Sequence, residues 1–562
     1  MKTRWEYLPE VEEANSLAER ILLGRGLSNK DIADFTNADY TTGLNDPLLL
    51  SGMQKAVTRI MLAKKNKENV IIYGDYDIDG ITASALLYDF FSQLGIKVET
   101  YIPDRFSEGY GINKTALKTL KDNGADLVIT VDCGVNSSTE AEYAQKLTLD
   151  LIITDHHEPI GKKPKALAVI NPKLPGQKYP FTELAGVGVA FALVRAIIQL
   201  HSDIVPEGQE KWLLDLVALG TICDVVPLIN ENRILARYGI MVARKGRRPG
   251  FRSLAKVSGT DLTKVSETDF GFRFGPRLNA AGRVDHARVG LQTLLAQTDA
   301  QADESAQKLQ LLNTERQATT AEILSSATKK ARAHRQDCIL VLSDPDWSHG
   351  TVGIVASNIS EKLRKPTILL QELGEVSKGS ARSLGSFSII EAIESAGEFL
   401  DKFGGHQFAA GVTLPTENIS AFRHAINQYG MKHLDVEDIL KKYIIDAVLL
   451  PGQITQESFE QVRLLAPYGN GHAQPLFSSK LEVFSLRPIG KDLNHLKLQL
   501  RGDNKVFSAI AFSKATAWKE VMVGEWYEFA YYLNENEWQG TREIQLELVD
   551  VIITTEKSKE QK

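Results

Sequence analysis

Between Val70 and Asp155 short β-rich runs alternate with helix-length amphipathic stretches, in the order VIIYG, ITASALLYDFF, KVETYI, KTALKTLK, LVITV, SSTEAEYAQKL and LIIT. Strands separated by helices are joined by crossovers, which gives βαβ units and a parallel sheet covered on both faces. Three of these strands end on acids. VIIYG runs into Asp75-Tyr76-Asp77-Ile78-Asp79-Gly80, LVITV into Asp132-Cys133-Gly134, and LIIT into Asp155-His156-His157. Ligands of an open parallel sheet bind at the carboxyl ends of its strands, so all three clusters emerge on one rim. If the backbone stays extended after VIIYG, Asp75, Asp77 and Asp79 point to one side, because strand side chains alternate. Asp224, in GTICDVVPL behind the apolar stretch WLLDLVALG, is placed to complete the ring.

Carboxylates gathered this closely repel one another and cannot all ionise unless a positive charge sits among them. A divalent cation supplies that charge, and mixed Asp/His ligation suits Mn²⁺ or Mg²⁺ better than a thiolate-preferring ion. Two such ions about 3.5–4 Å apart clamp the attacking and leaving oxygens of a phosphoester. Taken singly, an Asp-x-Asp after a strand also serves as a helix cap ahead of Ile81, and a His pair also serves as a packed polar feature. Three clusters matched to three strand ends favour the metal centre.

The 562 residues exceed one compact core and predict three or four domains. A formal charge of -6 excludes a protein coated in positive charge but leaves room for a local basic groove. Cys133, Cys223 and Cys338 lie far apart, which argues against a disulfide framework and a structural zinc cluster. The N-terminus has no apolar signal core, and no stretch approaches the roughly 18 apolar residues of a membrane helix. A cytoplasmic protein with no membrane partner is expected. We read residues 1–69 as a helical extension, 70–290 as the parallel-sheet core and 291–336 as a long connecting helix, since Leu291 to Asp344 holds neither Gly nor Pro. Residues 337–445 read as a second, smaller α/β lobe: CILVLS, a helical GIVASNISEKL, PTILL, and a helical SIIEAIESAGEFLDKF ending at Gly404–Gly405. Five closely spaced strand candidates over 446–555 predict a small barrel of the OB type or a sandwich, with 556–562 a disordered tail.

The DYDIDG, VDCG, DHH and GTICDVVPL segments resemble the four motifs of the DHH phosphoesterase superfamily. FGPRLNAAGRVDHA and FGGHQFAAG are similar to segments of its RecJ branch, the single-strand-specific 5′→3′ exonucleases, and FGGHQFAAG also marks the DHH-associated domain. The resemblance covers nearly the whole chain. It implies that Asp77, Asp79, Asp132, His156 and Asp224 ligate two divalent ions, Mn²⁺ or Mg²⁺, with Asp75 and Asp155 in or beside that set. His157 is then placed near the scissile phosphate, as hydrogen-bond donor or proton source for the leaving oxygen. Cys223 stands where a small residue such as Ala is expected, a swap that leaves Asp224 in place.

Arg105 in PDRFSEGYG, with Arg277, Asn279 and Arg283 in GPRLNAAGR, offers bidentate, permanently charged forks suited to phosphate oxygens. The resemblance implies that these residues, with Ser380 or Ser383 and Arg382 of GSARS, hold the 5′ end and adjacent phosphates. Gly404, Gly405 and His406 suit close approach over a terminal nucleotide, or alternatively a helix C-cap and turn. The β-rich end carries Phe477, Phe484, Phe507, Phe512, Trp518, Trp526, Tyr527, Phe529, Tyr531, Tyr532 and Trp538; alternation places about half of them inside a barrel, leaving the rest to stack on bases. The run Arg244-Lys245-Gly246-Arg247-Arg248 with Arg252 reads as a solvated face that could meet backbone phosphates. AGVGVAF mimics a dinucleotide-binding start but has Phe191 where the third glycine belongs, and NAD binding is rejected.

The combined reading is a metal-dependent exonuclease that degrades single-stranded DNA 5′→3′ to 5′-mononucleotides in DNA repair and recombination. The resemblance suggests a single-strand-binding protein and a RecQ-type helicase as functional partners; a monomer is the default. The rivals are a DHH hydrolase of short RNA or cyclic dinucleotides and a non-catalytic single-strand-binding scaffold. The first is generally compact and two-lobed, and the second is expected to have lost metal ligands, all of which are present here.

Overall fold

The computed structural model describes residues 3–11, 14–36, 39–105, 107–109, 111–206, 208–284, 286–538 and 541–553. The expected tail 556–562 and the Trp538 side chain lie outside them. The chain divides into two compact units, Leu44–Lys441 and a second that joins Met1–Gly43 to Lys442–Lys562.

In the first unit, five strands form an all-parallel sheet in the order Val98–Tyr101, Val70–Gly74, Leu127–Val131, Asp150–Thr154, Ala168–Ile170. VIIYG and LVITV are buried at every position, as continuous apolar strands between two helical layers must be. Gly74 pairs with Val131, and Val131 with Thr154. The next residues, Asp75, Asp132 and Asp155, therefore leave the sheet level with one another. The backbone does not stay extended beyond Asp77. Asp77 caps the helix Ile78–Gln93, accepting from the Gly80 N–H at 3.1 Å, and Asp79 lies in its first turn. Helix geometry, not strand alternation, aims these two acids. The apolar helix Leu214–Cys223 packs against Ile78–Gln93 and ends with Asp224 at its C-cap.

The single helix expected from Leu291 is two, Arg288–Leu295 and Asp299–Ala333. Ala296 turns the chain out of helix (ψ 130°), and Thr298 restarts it by accepting from the Gln301 N–H at 3.3 Å. The 35-residue second helix is about 52 Å long at 1.5 Å per residue. Its first half packs on the core helices Pro249–Ser258, Gly275–Val284 and Arg288–Leu295. Its second half inserts Ile323, Ala327 and Ala331 among Leu340, Leu342, Trp347 and Val352 of the smaller lobe. It is thus a strut embedded in both.

The smaller lobe holds a five-stranded sheet ordered Lys402–His406, Ala409–Pro415, Val376–Arg382, Thr367–Leu373, Leu340–Asp344, parallel only in its last pair. The helix expected through SIIEAIESAGEFLDKF covers only Ile389–Glu394. Gly397 begins a 3-10 turn, and Lys402–His406 pairs antiparallel with Ala409–Thr413, so strand pairing takes residues that helical spacing had claimed.

The chain's start also differs from a purely helical extension. Thr3–Tyr7 is a strand paired with Lys441–Ile445, and Ile21 and Leu22 of the helix Leu17–Gly24 enter the core of the C-terminal barrel beside Leu465 and Phe477. The helix Met53–Asn66, by contrast, packs on the core lobe. All five expected barrel strands form, and Phe477–Ile489 pairs with both His495–Gly502 and Trp526–Trp538, closing a five-stranded ring through Lys505–Ala511 and Thr541–Ile552. Phe477, Phe507, Trp518, Tyr527, Phe529 and Tyr531 are buried inside, whereas Phe484, Phe512 and Trp526 are about half exposed.

Candidate metal centre

The level exit of three strands brings Asp75, Asp132 and Asp155 together, and two helix ends deliver the remaining acids. His156 Nε2 lies 3.2 Å from Asp132 Oδ1, 3.6 Å from Asp224 Oδ2 and 3.8 Å from Asp79 Oδ2. Three overlapping groups each offer ligand atoms within 4.8 Å of one another: Asp75/Asp77/Asp132, Asp79/His156/Asp224 and Asp132/His156/His157. Seven of the eight candidates from the sequence thus converge on Asp132 and His156. The eighth, Asp155, spends its oxygens within the protein. It accepts from the Val135, His156 and His157 amides at 2.8, 2.7 and 3.1 Å and meets His157 Nδ1 at 2.8 Å, which fixes the ring. Asp132 has φ 61° and Val225, next to Asp224, φ 62°. Left-handed backbone is costly for a β-branched residue, and such strain clusters at functional sites.

The electrostatics suit a bound cation. Burial and the charge of Asp77 push Asp79 up to about 7, and burial with repulsion from Asp79 and Asp77 pushes Asp224 to about 9. Burial and neighbouring carboxylates hold Asp75 and Asp132 well above the ordinary range. Burial brings His156 down to about 4, leaving a neutral imidazole, the form that binds metals. Burial would lower His157 too, but its bond to Asp155 and that group's charge raise it. Among the described residues, Asp75 Oδ1, Asp132 Oδ1 and His156 Nε2 are buried without a hydrogen-bond partner. Buried polar atoms are normally satisfied, so these unsatisfied oxygens and nitrogen are what divalent-ion ligands look like without their ion. The residues fit Mn²⁺ or Mg²⁺.

Beside the acids lies a group of arginines. Arg105 stacks over Tyr76 at 5.0 Å, and Arg283 donates to the Gly350 carbonyl at 3.1 Å. Burial, followed by repulsion from Arg105, Arg316 and Arg382, brings Arg283 down to about 10, with Asp77 opposing. Ser380 and Arg382 share a strand facing Gly353, where an added Cβ would stand 3.0 Å from Arg382 Nη2 and 3.3 Å from Ser380 Oγ. Ser383 instead donates to the Phe387 carbonyl. Other expected residues are placed elsewhere. Arg277 donates to Gln310 Oε1 at 2.8 Å and to the Arg273 carbonyl at 2.7 Å, and Asn279 is half-buried on the same helix. Gly404, Gly405 and His406 lie on the exposed edge strand, not at a helix C-cap; a Cβ on Gly405 would come within 2.3 Å of the Ala409 carbonyl. The basic run is only partly spent internally: Arg248 pairs with Asp215 at 3.0 Å and Asp89 at 2.7 Å, Arg252 with Asp299 at 2.6 Å, and Arg244 donates to the Val265 carbonyl, while Lys245 and Arg247 stay exposed.

Two features escape inspection of the sequence. The AGVGVAF run dismissed as a nucleotide loop begins the helix Gly186–Leu200, whose Gly186 and Val187 amides donate to Asp79 at 2.5 and 2.8 Å. Gly186 has no room for a side chain, because a Cβ would lie 2.7 Å from Asp132 Oδ1. Its signal was a glycine pair in an apolar helix with no packing reason. Arg316, in the middle of the polar strut, carried no signal at all.

Known proteins match along the chain. The models for the DHH family N-terminal domain, the DHHA1 domain and the RecJ OB domain match residues 69–221, 336–432 and 445–550. The single-stranded-DNA-specific exonuclease RecJ of Bacillus subtilis is 35% identical over 98% of this chain and 71% of its own length. The protein of that name from Escherichia coli is 35% identical over 88% of this chain and 89% of its own. The crystal structure of RecJ from Thermus thermophilus in complex with Mn²⁺ superposes with TM-score 0.84 at 28% identity, covering 98% of this chain and 80% of that one. The Mg²⁺ complex gives 0.77. Among the described residues, no helix is long and apolar enough to cross a membrane.

Proposed function

The chain belongs to the RecJ family, and from that premise we propose that it is a metal-dependent exonuclease that degrades single-stranded DNA from the 5′ end to 5′-mononucleotides. One observation carries the reading: acids and imidazoles from four separate stretches gather around Asp132 and His156, with arginines beside them that have no carboxylate partner among the described residues.

Asp75, Asp77, Asp79, Asp132, His156 and Asp224 are the residues to hold two divalent ions, Mn²⁺ or Mg²⁺. When bound, such ions neutralise charge at the phosphoryl oxygens and make water a competent nucleophile near neutral pH. His157, held by Asp155 and raised in basicity, donates a hydrogen bond to the phosphoryl group or a proton to the departing 3′ oxygen of the terminal nucleotide. Arg105, Arg283, Ser380 and Arg382 hold the 5′ phosphate and its neighbour. Arg277 and Asn279 meet the adjacent phosphates, and the edge strand with Gly404, Gly405 and His406 covers the terminal nucleotide. A passage too narrow for duplex gives the single-strand preference. In the cell we place the enzyme in the cytoplasm as a monomer in repair and recombination, working with a single-strand-binding protein and a RecQ-type helicase.

The test is an end-labelled single-strand digest with Mn²⁺, Mg²⁺ or chelator, beside Asp132→Ala. Metal-dependent release of 5′-mononucleotides from the 5′ side, lost in the variant, is expected. Equal rates on blunt duplex would remove the exclusion idea, and indifference to the 5′ phosphate would remove the arginine assignment. Cleavage of dinucleotides but not long strands would favour the short-substrate hydrolase. Binding without hydrolysis at any metal concentration would favour a scaffold.

A further inference from the structure

Arg316 lies midway along the strut Asp299–Ala333, half-buried, with Nη2 donating to Oδ1 of the buried Asn313 at 2.9 Å. Its Nε is buried and has no hydrogen-bond partner, and no carboxylate pairs with it among the described residues. Arg283, Arg105 and Arg382 have no carboxylate partner within salt-bridge distance there either, and Arg316 is close enough to Arg283 to repel it. An ordinary structural arginine at this depth has an acid beside it, as Arg248 has in Asp215 and Asp89. Asn313 takes one proton of Nη2, leaving Nη1 and the second Nη2 proton to meet two oxygens of an anion. The strut packs on both the helix Gly275–Val284, which carries Arg283, and the helix His349–Leu363, so Arg316 sits where the two lobes meet.

We propose that Arg316 is a substrate-positioning residue that binds a backbone phosphate of the single strand, next to the phosphates held by Arg105, Arg283 and Arg382. The strut then takes part in binding as well as spacing the lobes. This inference rests on the single-strand reading above. Without DNA, Arg316 is an uncompensated charge that costs stability, and it is retained because the strand supplies its counter-charge.

The test compares wild type with Arg316→Met, which keeps the aliphatic stem but removes the charge, and with Arg316→Lys, which keeps the charge but loses the fork. Hydrolysis of 5′-phosphorylated oligothymidylate is measured at several NaCl concentrations with Mn²⁺ present, together with melting of the DNA-free proteins. For Arg316→Met, KM is expected to rise about ten-fold, as for loss of one charge-assisted phosphate contact, with kcat changed less than about two-fold. The slope of log KM against log salt should fall by about 0.7, the value for one phosphate on a single strand. Its melting temperature should change little, because relief of the uncompensated charge is offset by loss of the bond to Asn313, and Arg316→Lys should fall between the two in KM. An unchanged KM and salt slope would overturn the proposal. So would a lower melting temperature and kcat with the slope intact, which is the signature of a purely structural arginine. If wild type itself fails to hydrolyse single strands, the functional reading has failed and not this assignment.

Discussion

Replacing Gly186 by alanine adds one methyl group and puts it where the metal centre has no space. The new Cβ would stand 2.7 Å from both Cβ and Oδ1 of Asp132 and 2.9 Å from its Cγ. Favourable carbon contacts lie at about 3.5–4.0 Å, so Asp132 or the helix Gly186–Leu200 must yield by roughly 1 Å. Asp132 has little freedom, with its backbone already left-handed at φ 61° and its carboxylate buried. If the helix moves instead, the Gly186 and Val187 amides leave Asp79. Either route displaces a metal-holding carboxylate. Overpacking costs about 1–3 kcal/mol, and a displacement of about 1 Å at a reacting centre costs about 100-fold in rate. Gly188→Ala is the control: its Cβ would meet only the Leu184 side chain, at 3.4 Å and beyond, and alanine favours helix by about 1 kcal/mol over glycine. We expect Gly186→Ala to fold, to bind Mn²⁺ more weakly by calorimetry, and to hydrolyse single strands about 100-fold more slowly. Gly188→Ala should stay near wild type and melt no lower. Wild-type rates in Gly186→Ala, or equal losses in both variants, would refute the account of how Asp79 and Asp132 are positioned.

Three further outcomes can be checked. His157→Gln should lower kcat by about 100-fold or more, as for loss of a general acid, while Mn²⁺ affinity measured by calorimetry changes little. Mn²⁺ at about 100 times its Kd should stabilise the protein by about 2.7 kcal/mol in thermal melts. Asp132→Asn should lose most of that gain yet melt higher than wild type in chelator, since it removes one of several repelling carboxylates; an Mn²⁺-independent melt would contradict both. Glu108, beside Arg105's segment, accepts from Tyr101 Oη at 2.6 Å and the Asp104 amide at 2.8 Å. Burial alone would raise its pKa, but these bonds hold it below the usual value. A depressed folded value gives stability that is present above the unfolded pKa of about 4.3 and lost as pH falls through the folded one. Glu108→Gln should therefore melt about 1 kcal/mol less stable at pH 7, with the gap closing below about pH 4; a gap independent of pH would contradict this.

The parallel sheet, its acidic rim and the barrel strands were legible in the residues because each depends on short-range regularities. A buried strand is a continuous apolar run, and the acid that follows it is the next residue along. What stayed hidden depends on partners far away in the chain. Asp79 is held by amides more than 100 residues later, and the glycine that permits this resembled a different motif. Arg277 and Arg248 carried the same chemistry as Arg283, yet Gln310, Asp215 and Asp89 claim their donors. Residues 1–43 joined the barrel unit because the apolar face of Leu17–Gly24 found its complement among residues more than 400 positions away. Residue type and local period determine which groups can ligate, bind or pair. Whether a charged group is left over to act on a substrate depends on whether folding brings it a neighbour of opposite charge, and that is settled only when distant segments meet.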